Sequence, residues 1–207
     1  QTFLFTRIQE KPVPSLLRGF SAPVKLQYDY SREDLILLMS RDSDGFNRWD
    51  ASQQLALQVI NDVIAAYQRG ENISAVEIDS RLIQAFRNVL QDESLDQAMV
   101  AYMLTLPSEA YISELADMVD VEAIHYSRAA VRKKIAVELR NEFARIYSAY
   151  DHQQVYAATA DAIAKRSLKN VALAYLMLLN DDDIVRACEQ QYLTANNMTD
   201  VMAALTQ

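Results

Sequence analysis

The amino-acid sequence carries a helical pattern of apolar residues from Ser31 to its end. Apolar side chains recur at the spacing of one helical face in several long stretches, for example at Ala56, Ile60, Val63 and Tyr67. Glycine and proline are rare, with 3 and 4 among 207 residues, whereas a β-sandwich or a Rossmann-type fold needs many more turn residues. The sequence therefore predicts a mainly α fold with short connections.

Residues that favour helix ends divide this pattern into separate helices. Ser31 and Asp34 resemble a capping box, Gly70 stands where a left-handed C-terminal cap belongs, and Ser108 is a fresh N-cap. No sequence repeat has a fixed period, so we expect eight or nine helices in stacked antiparallel pairs, as in armadillo proteins and other solenoids. The first five predicted helices cover about 31–40, 46–69, 75–91, 95–104 and 108–118. A long helix then starts at Val121 and carries Val131, Ile135, Leu139, Phe143 and Ile146 on one stripe. The remaining predicted helices cover about 156–179, begin after Asp181, Asp182 and Asp183, and begin at about Met198 or Thr199.

The first thirty residues have a different pattern. Phe3, Leu4, Phe5 and Ile8 form a short β-like stretch, and Val24, Leu26, Tyr28 and Tyr30 alternate with polar residues as in a half-buried strand. Two or three strands alone cannot satisfy their edges. We therefore interpret residues 1–30 as the terminal strands of a β-sandwich domain, or alternatively as a ribbon lying on the helical body, and residues 31–207 as a helical domain. Gln1 in place of methionine and the uncovered apolar residues 201–205 suggest that both ends continue in a longer protein.

Charge and apolar content limit the partners. The net charge of −8 argues against nucleic acid, because phosphate binding needs a concentrated basic surface. The longest apolar run, 171–179, is far shorter than a membrane span. Cys188 is the single cysteine, so no internal disulfide forms and a reducing compartment is permitted. We expect neither nucleic acid nor membrane as a partner, and a cytoplasmic location.

No candidate for catalysis or metal binding has the partners that its chemistry needs. His125 and His152 do not form an H-E-x-x-H pair, and Cys188 lies mid-helix, where a buried small residue is usual. Asp181, Asp182 and Asp183 lack calcium-loop spacing and are read as helix-capping carboxylates. We therefore predict no catalytic residue, cofactor ligand or metal ligand in this chain. At helical spacing, most of the tyrosines are predicted to lie at the edge of the core. Alternatively, seven of them could line a groove for peptides: Tyr102, Tyr111, Tyr126, Tyr147, Tyr150, Tyr156 and Tyr175.

Five stretches occur in order along nearly the whole chain: PVPSLLRGFSAPVKL (12–26), FNRWDA (46–51), LTLPS (104–108), AKRSLKN (164–170) and ANNMTD (195–200). None of these stretches is a chemical motif by itself, and the match to a family is specific because of their order and number. Together they resemble the bacterial aminopeptidase N branch of the M1 zinc metallopeptidases.

The resemblance implies a place late in a four-part protein. Residues 1–30 would be the last strands of the small β-sandwich third domain, and residues 31–207 the first half of an armadillo-like, right-handed superhelical C-terminal domain that closes over the active site. Zinc, its H-E-x-x-H motif and the G-x-M-E-N element would belong to a preceding catalytic domain. The implied function is a non-catalytic fragment of a zinc-dependent aminopeptidase, with the remaining domains and peptide substrates as partners. Whether the chain counts as an enzyme stays open, since it has no catalytic motif.

The predicted junction between the two parts consists of Arg48, Trp49 and Asp50, at the start of a long helix next to the strands. Trp49 would anchor the packing, with Arg48 and Asp50 as ion-pair or cap partners. In the alternative reading, Trp49 only fills the helical core. The rival function is an independent helical scaffold that binds a partner in its concave face. A free-standing enzyme would need chemistry that the sequence does not offer.

Overall fold

The structure is a computed structural model that describes residue 4 and residues 6–24, 26–150 and 155–207. Phe3 and Phe5 of the predicted β-like stretch, and His152 among the candidate catalytic residues, lie outside the described residues.

The described residues form ten α-helices joined by short connections. Short 3-10 turns cover Arg18–Phe20, Ile73–Ala75 and Met177–Leu179. The fold is mainly helical, as the sequence predicts. The helices are α1 (Arg32–Arg41), α2 (Gly45–Gln68), α3 (Ser80–Gln91), α4 (Gln97–Leu104), α5 (Glu109–Leu115), α6 (Val121–Glu138), α7 (Arg140–Ala149), α8 (Ala160–Leu176), α9 (Asp182–Thr194) and α10 (Met198–Leu205).

The helix ends follow from local side-chain chemistry. The Ser31 hydroxyl accepts from the Asp34 N–H at 3.1 Å while the Asp34 carboxylate accepts from the Ser31 N–H, which completes the predicted capping box. Ser108 caps α5 through the Tyr111 N–H. Gly70 follows α2 with φ of 80°, a left-handed conformation that suits glycine. These boundaries were predictable because each is fixed within one turn of helix.

The long helix predicted from Val121 is two helices, and this part of the prediction is wrong. Leu139 has φ of −111° and ψ of 19°, outside the helical region, and it separates α6 from α7. α6 packs mainly on α2 and less extensively on α8, whereas α7 packs mainly on α8. Because the two halves have different principal neighbours, one straight helix does not bury both. The predicted stripe is nevertheless buried on both sides of the break, at Val131, Ile135, Leu139, Phe143 and Ile146.

One continuous apolar core runs through the helical part. α2 contacts α1, α3, α4 and α6, and α8 contacts α4, α6, α7, α9 and α10. A buried hydrogen bond of 2.7 Å from the Tyr175 hydroxyl to the Leu104 carbonyl ties α8 to α4. The core extends from Leu35 in α1 to Ala204 in α10. Among the described helices, none combines the length and apolar character that crossing a bilayer requires.

The described residues before α1 contain no β-strand, so the predicted N-terminal β segment is not seen. Their backbone is irregular except for the turn Arg18–Phe20. Val24, Leu26 and Tyr28 are exposed, and only Tyr30 of that alternating set is buried, with its hydroxyl donating to the Pro14 carbonyl at 2.8 Å. A strand needs a neighbouring strand for its backbone hydrogen bonds. The described part of the chain supplies none.

Candidate functional site at the junction of the N-terminal segment and the helices

Asp42, in the turn between α1 and α2, is the centre of the contact with the N-terminal segment. Its side chain is 1% exposed and accepts hydrogen bonds from the Ser15 hydroxyl and from Arg18 Nη1, the latter at 2.6 Å. The Asp44 N–H donates to the same carboxylate at 2.9 Å. Burial alone would raise the pKa of Asp42, but these hydrogen bonds and the Arg18 charge hold it below its ordinary value. Asp42 is therefore ionised and fully partnered.

Further hydrogen bonds fix the same segment on the start of α2. Asn47 is buried and donates through Nδ2 to Ser15 Oγ at 2.8 Å and to the Leu16 carbonyl at 2.9 Å. Arg18 Nη2 donates to Ser43 Oγ at 2.6 Å. The Gly19 N–H donates to Asp44 Oδ2 at 2.8 Å. We name Ser15, Arg18, Asp42, Asp44 and Asn47 the junction cluster.

A row of three aromatic rings lies beside the junction cluster. The Phe20 and Phe46 ring centroids are 5.2 Å apart, and those of Phe46 and Trp49 are 5.6 Å apart. Trp49 is partly buried and also packs against the edge of the helical core. Trp49 thus packs on the helical core, and it reaches the N-terminal segment only through Phe46, whose ring contacts Phe20.

Arg48 and Asp50 make their hydrogen bonds within the helical part. Arg48 Nε donates to the Met39 carbonyl at 2.8 Å and Arg48 Nη2 to Asp92 Oδ2 at 2.9 Å, which connects α2 with α1 and with the end of α3. The Asp50 carboxylate accepts from Gln54 Nε2 at 2.7 Å, and burial raises its pKa. The hydrogen bonds of Ser15, Arg18 and Gly19 with the helical part are made instead with Asp42, Ser43, Asp44 and Asn47.

Sequence reasoning missed Ser15, Arg18, Asp42 and Asn47. The one local signal was an acidic, hydroxyl-containing connection, Asp42, Ser43 and Asp44, between two helices. Such a connection usually serves as a helix cap, and Asp44 does cap α2 through the Asn47 N–H. The same connection has a second role, in which Asp42 pairs with Arg18. This contact spans 24 residues, and local sequence patterns do not encode it.

The candidate reactive residues have ordinary structural partners. His125 Nδ1 lies 3.0 Å from Glu109 Oε1, and both side chains are exposed. Cys188 is buried, burial raises the pKa of its thiol, and Sγ donates to the Ala204 carbonyl. Asp181 caps α9 and pairs with Arg140. Among the residues that the structure describes, no group of three or more His, Cys, Asp or Glu side chains is placed to hold a metal ion.

The tyrosines do not share one environment. Tyr147 and Tyr175 are buried in the core, and the Tyr175 ring stacks on Phe143 with centroids 4.6 Å apart. Tyr102, Tyr111 and Tyr126 are exposed on α4, α5 and α6. A peptide groove that includes Tyr147 and Tyr175 is therefore not what the structure shows, and for the exposed tyrosines the groove stays a prediction.

Comparison with known proteins places the chain in a family. Residues 32–207 match the domain of unknown function DUF3458_C, described as ARM repeats, and residues 1–29 match the domain of unknown function DUF3458, described as an Ig-like fold. Aminopeptidase N of Escherichia coli (strain K12) is 40% identical over 206 residues, which cover 100% of this chain and 23% of that protein. Aminopeptidase N of Haemophilus influenzae is 37% identical over 207 residues, again with 23% of its length covered, and that of Caulobacter vibrioides is 32% identical over 204 residues.

A solved structure has the same fold. The crystal structure of Legionella pneumophila aminopeptidase A in complex with aspartic acid superposes with a TM-score of 0.81 at 31% identity, covering 98% of this chain and 24% of that one. The chain thus spans about a quarter of the length of the relatives that it matches. The chain belongs to the ARM-repeat family DUF3458_C and corresponds to a helical segment of the M1 aminopeptidases.

Proposed function

We propose that this chain is the non-catalytic helical part of a zinc-dependent aminopeptidase that removes N-terminal residues from peptides. In the whole protein it would cover the active site, exclude water and restrict entry to short peptides. The observation that supports this most is the match of the entire chain to aminopeptidase N sequences at 32–40% identity. The remaining domains of the aminopeptidase would be its partners, and peptides the substrates of the whole protein.

The same proposal assigns residues 1–30 to the end of a β-sandwich domain and residues 31–207 to a right-handed superhelical stack. The match of residues 1–29 to an Ig-like fold supports the first assignment. Val24, Leu26 and Tyr28 are exposed on the alternating positions that further strands of a sandwich would cover. The junction cluster, with Arg48, Trp49 and Asp50 beside it, would then hold the sandwich on the helices.

Zinc would be bound outside this chain. A catalytic zinc site needs three protein ligands from His, Cys, Asp or Glu that converge on one point. The described residues of these types do not converge in a group of three, and several are engaged in caps and ion pairs, as for His125 with Glu109 and Asp181 with Arg140. These residues do not fit the metal, and no step of the reaction is assigned to them. A cytoplasmic location belongs to the same proposal, since a single buried Cys188 suits a reducing compartment.

The purified chain provides the test of the non-catalytic assignment. It is incubated with an aminoacyl chromogenic amide, with and without added zinc, and its zinc content is measured after dialysis. We expect no turnover above the buffer blank and no stoichiometric zinc. Turnover at enzyme-like rates, or one tightly bound zinc per chain, would overturn the assignment.

The proposed control of access has its own test in the full-length protein. Asp42→Ala removes the centre of the junction cluster and should let the helices shift relative to the sandwich. We expect kcat/KM to rise for long peptides relative to a dipeptide amide, because a looser cover admits larger substrates. Glu71→Gln, which removes an exposed pair with Arg69, is the matched control and should change neither value. If the ratio of kcat/KM for long peptides to kcat/KM for the dipeptide amide is the same in the parent protein, Asp42→Ala and Glu71→Gln, the helices have no role in substrate access.

A further inference from the structure

Two arginines one helical turn apart on α6 line one groove, and neither has a carboxylate partner among the described residues. Arg128 Nε donates to the Pro107 carbonyl at 2.7 Å, and Arg132 Nη2 donates to the Ala174 carbonyl at 3.1 Å. Both side chains are half-buried. Both acceptors are neutral carbonyl groups, so the two positive charges of this helix turn have no counter-charge among the described residues.

Three other half-buried arginines pair with carboxylates, whereas half-buried Arg166 donates to the Ala157 carbonyl. Arg32 contacts Asp62 and Asp79, Arg48 contacts Asp92, and Arg87 contacts Glu142. The chain has 28 acidic against 20 basic residues, so carboxylates are plentiful. Among the described residues that line the groove beside Arg128 and Arg132, there is nevertheless no Asp or Glu. Its positive character thus contrasts with the acidic chain around it.

Arg132 is held in place by a rigid aromatic support. Its guanidinium lies 5.8 Å from the centroid of the Tyr175 ring, in a cation–π arrangement. Tyr175 stacks in turn on Phe143 and donates to the Leu104 carbonyl. Burial lowers the pKa of Arg132, and the neighbouring Arg128 charge lowers it further. An anion between the two guanidinium groups would relieve that repulsion.

The groove has the size and the polar groups of a ligand site. Its volume is about 370 Å³, within the usual range for small-molecule sites. Ser167 and Asn170 on α8 and Thr206 after α10 add hydroxyl and amide groups to the lining. Residues at this helical spacing have neighbouring side chains, so one carboxylate can contact both guanidinium groups.

We propose that this groove is a carboxylate-binding site, in which Arg128 and Arg132 share one carboxylate of the ligand. The carboxylate can come from a small molecule or from an acidic side chain of a polypeptide, and both sources present the same group. The inference rests on α6 and its neighbours and does not depend on the proposed function.

The test uses the purified chain at low ionic strength and two anionic probes. Isothermal titration calorimetry measures the binding of succinate and of an acetylated, amidated triglutamate peptide, with succinamide and the triglutamine peptide as neutral controls. Arg132→Gln keeps a donor for the Ala174 carbonyl while it removes the charge. Arg128→Gln is the second variant, and Arg186→Gln, on the exposed surface of α9, is the matched control.

We expect at least one anionic probe to bind, and its dissociation constant to rise about tenfold or more in Arg132→Gln and in Arg128→Gln, as for the loss of one charge-assisted hydrogen bond. Binding should be unchanged in Arg186→Gln and absent with the neutral probes. Binding of succinate alone would identify a small molecule as the source, and binding of the peptide alone a polypeptide. The proposal would be overturned if neither anionic probe binds. It would also be overturned if Arg128→Gln, Arg132→Gln and Arg186→Gln all lose affinity to the same extent. Circular dichroism confirms that each variant is folded.

Discussion

Lys169 Nζ lies 2.6 Å from Asp200 Oδ2, and the two side chains are only 5% and 10% exposed. This pair connects α8 to α10. Asn170 Nδ2 and Asn197 Nδ2 also donate to the Asp200 carboxylate, at 2.9 and 3.0 Å. Burial lowers the pKa of Lys169, and the hydrogen bond and charge of Asp200 act in the opposite direction by favouring the charged ammonium group.

Asp200→Asn should destabilise the protein by about 3 kcal/mol, because it leaves a buried ammonium group without a counter-charge. Urea denaturation monitored by circular dichroism gives the free energy of unfolding. The double variant Lys169→Met/Asp200→Leu removes both charges and should be more stable than Asp200→Asn. If the single variant stays within about 0.5 kcal/mol of the parent protein, the pair has no such role.

Acid should weaken the fold below about pH 4. Burial alone would raise the pKa of Asp42 and Asp200, but their hydrogen bonds and the Arg18 and Lys169 charges lower both. A carboxyl group with a lower pKa in the folded state contributes stability that is complete above its unfolded pKa. That stability is lost as the pH falls through the folded pKa. The free energy of unfolding should therefore be nearly constant from about pH 5 to 7 and fall below about pH 4.

Urea denaturation at several pH values measures this dependence. Asp42→Asn should give a shallower fall in acid than the parent protein, because one of the shifted carboxyl groups is gone. Asp117→Asn, at an exposed position, is the matched control. Parallel pH profiles for the parent protein and Asp42→Asn would show that Asp42 is not one of the responsible groups.

The junction cluster should protect the N-terminal segment from proteases. Arg18 is a trypsin site whose side chain is held by Asp42 and Ser43. Asp42→Ala or Asn47→Ala should increase cleavage after Arg18 several-fold, because local opening requires loss of these hydrogen bonds. Mass spectrometry of timed digests measures the rate. Glu71→Gln, outside the cluster, should leave the rate unchanged, and an unchanged rate in Asp42→Ala would contradict the assignment.

Trp49 is the single tryptophan and is expected to contribute to stability. Trp49→Ala should cost roughly 2 kcal/mol, since a partly buried aromatic ring is removed beside Phe46. A double-mutant cycle with Phe20→Ala separates the two interpretations. A coupling of about 0.5 kcal/mol or more favours the junction anchor, and additive effects favour a core filler. Unchanged thermal stability in Trp49→Ala would reject both.

The sequence was informative wherever structure is decided within one helical turn. The caps at Ser31 and Ser108 and the left-handed Gly70 were predictable because each side chain or glycine acts on its own neighbours. The break at Leu139 was not, since neither glycine nor proline marks it. It follows from the different neighbours of α6 and α7.

Tertiary contacts account for the rest of what sequence reasoning missed. Arg18 and Asp42 are 24 residues apart, and Arg132 reaches Ala174 across 42 residues. Neither separation has a local signature. The alternation of Val24, Leu26 and Tyr28 indicated a strand, but a strand forms only beside another strand, and the described residues contain none. Family membership, by contrast, was evident from five short stretches in order.

The most direct measurement is the aminopeptidase activity of the full-length protein encoded by the reading frame that contains this chain. We expect the full-length protein to hydrolyse an alanyl chromogenic amide, a chelator to abolish this activity and zinc to restore it, while the isolated chain stays inactive in the same assay. A full-length protein that remains inactive with zinc present would contradict the account and favour an independent helical scaffold.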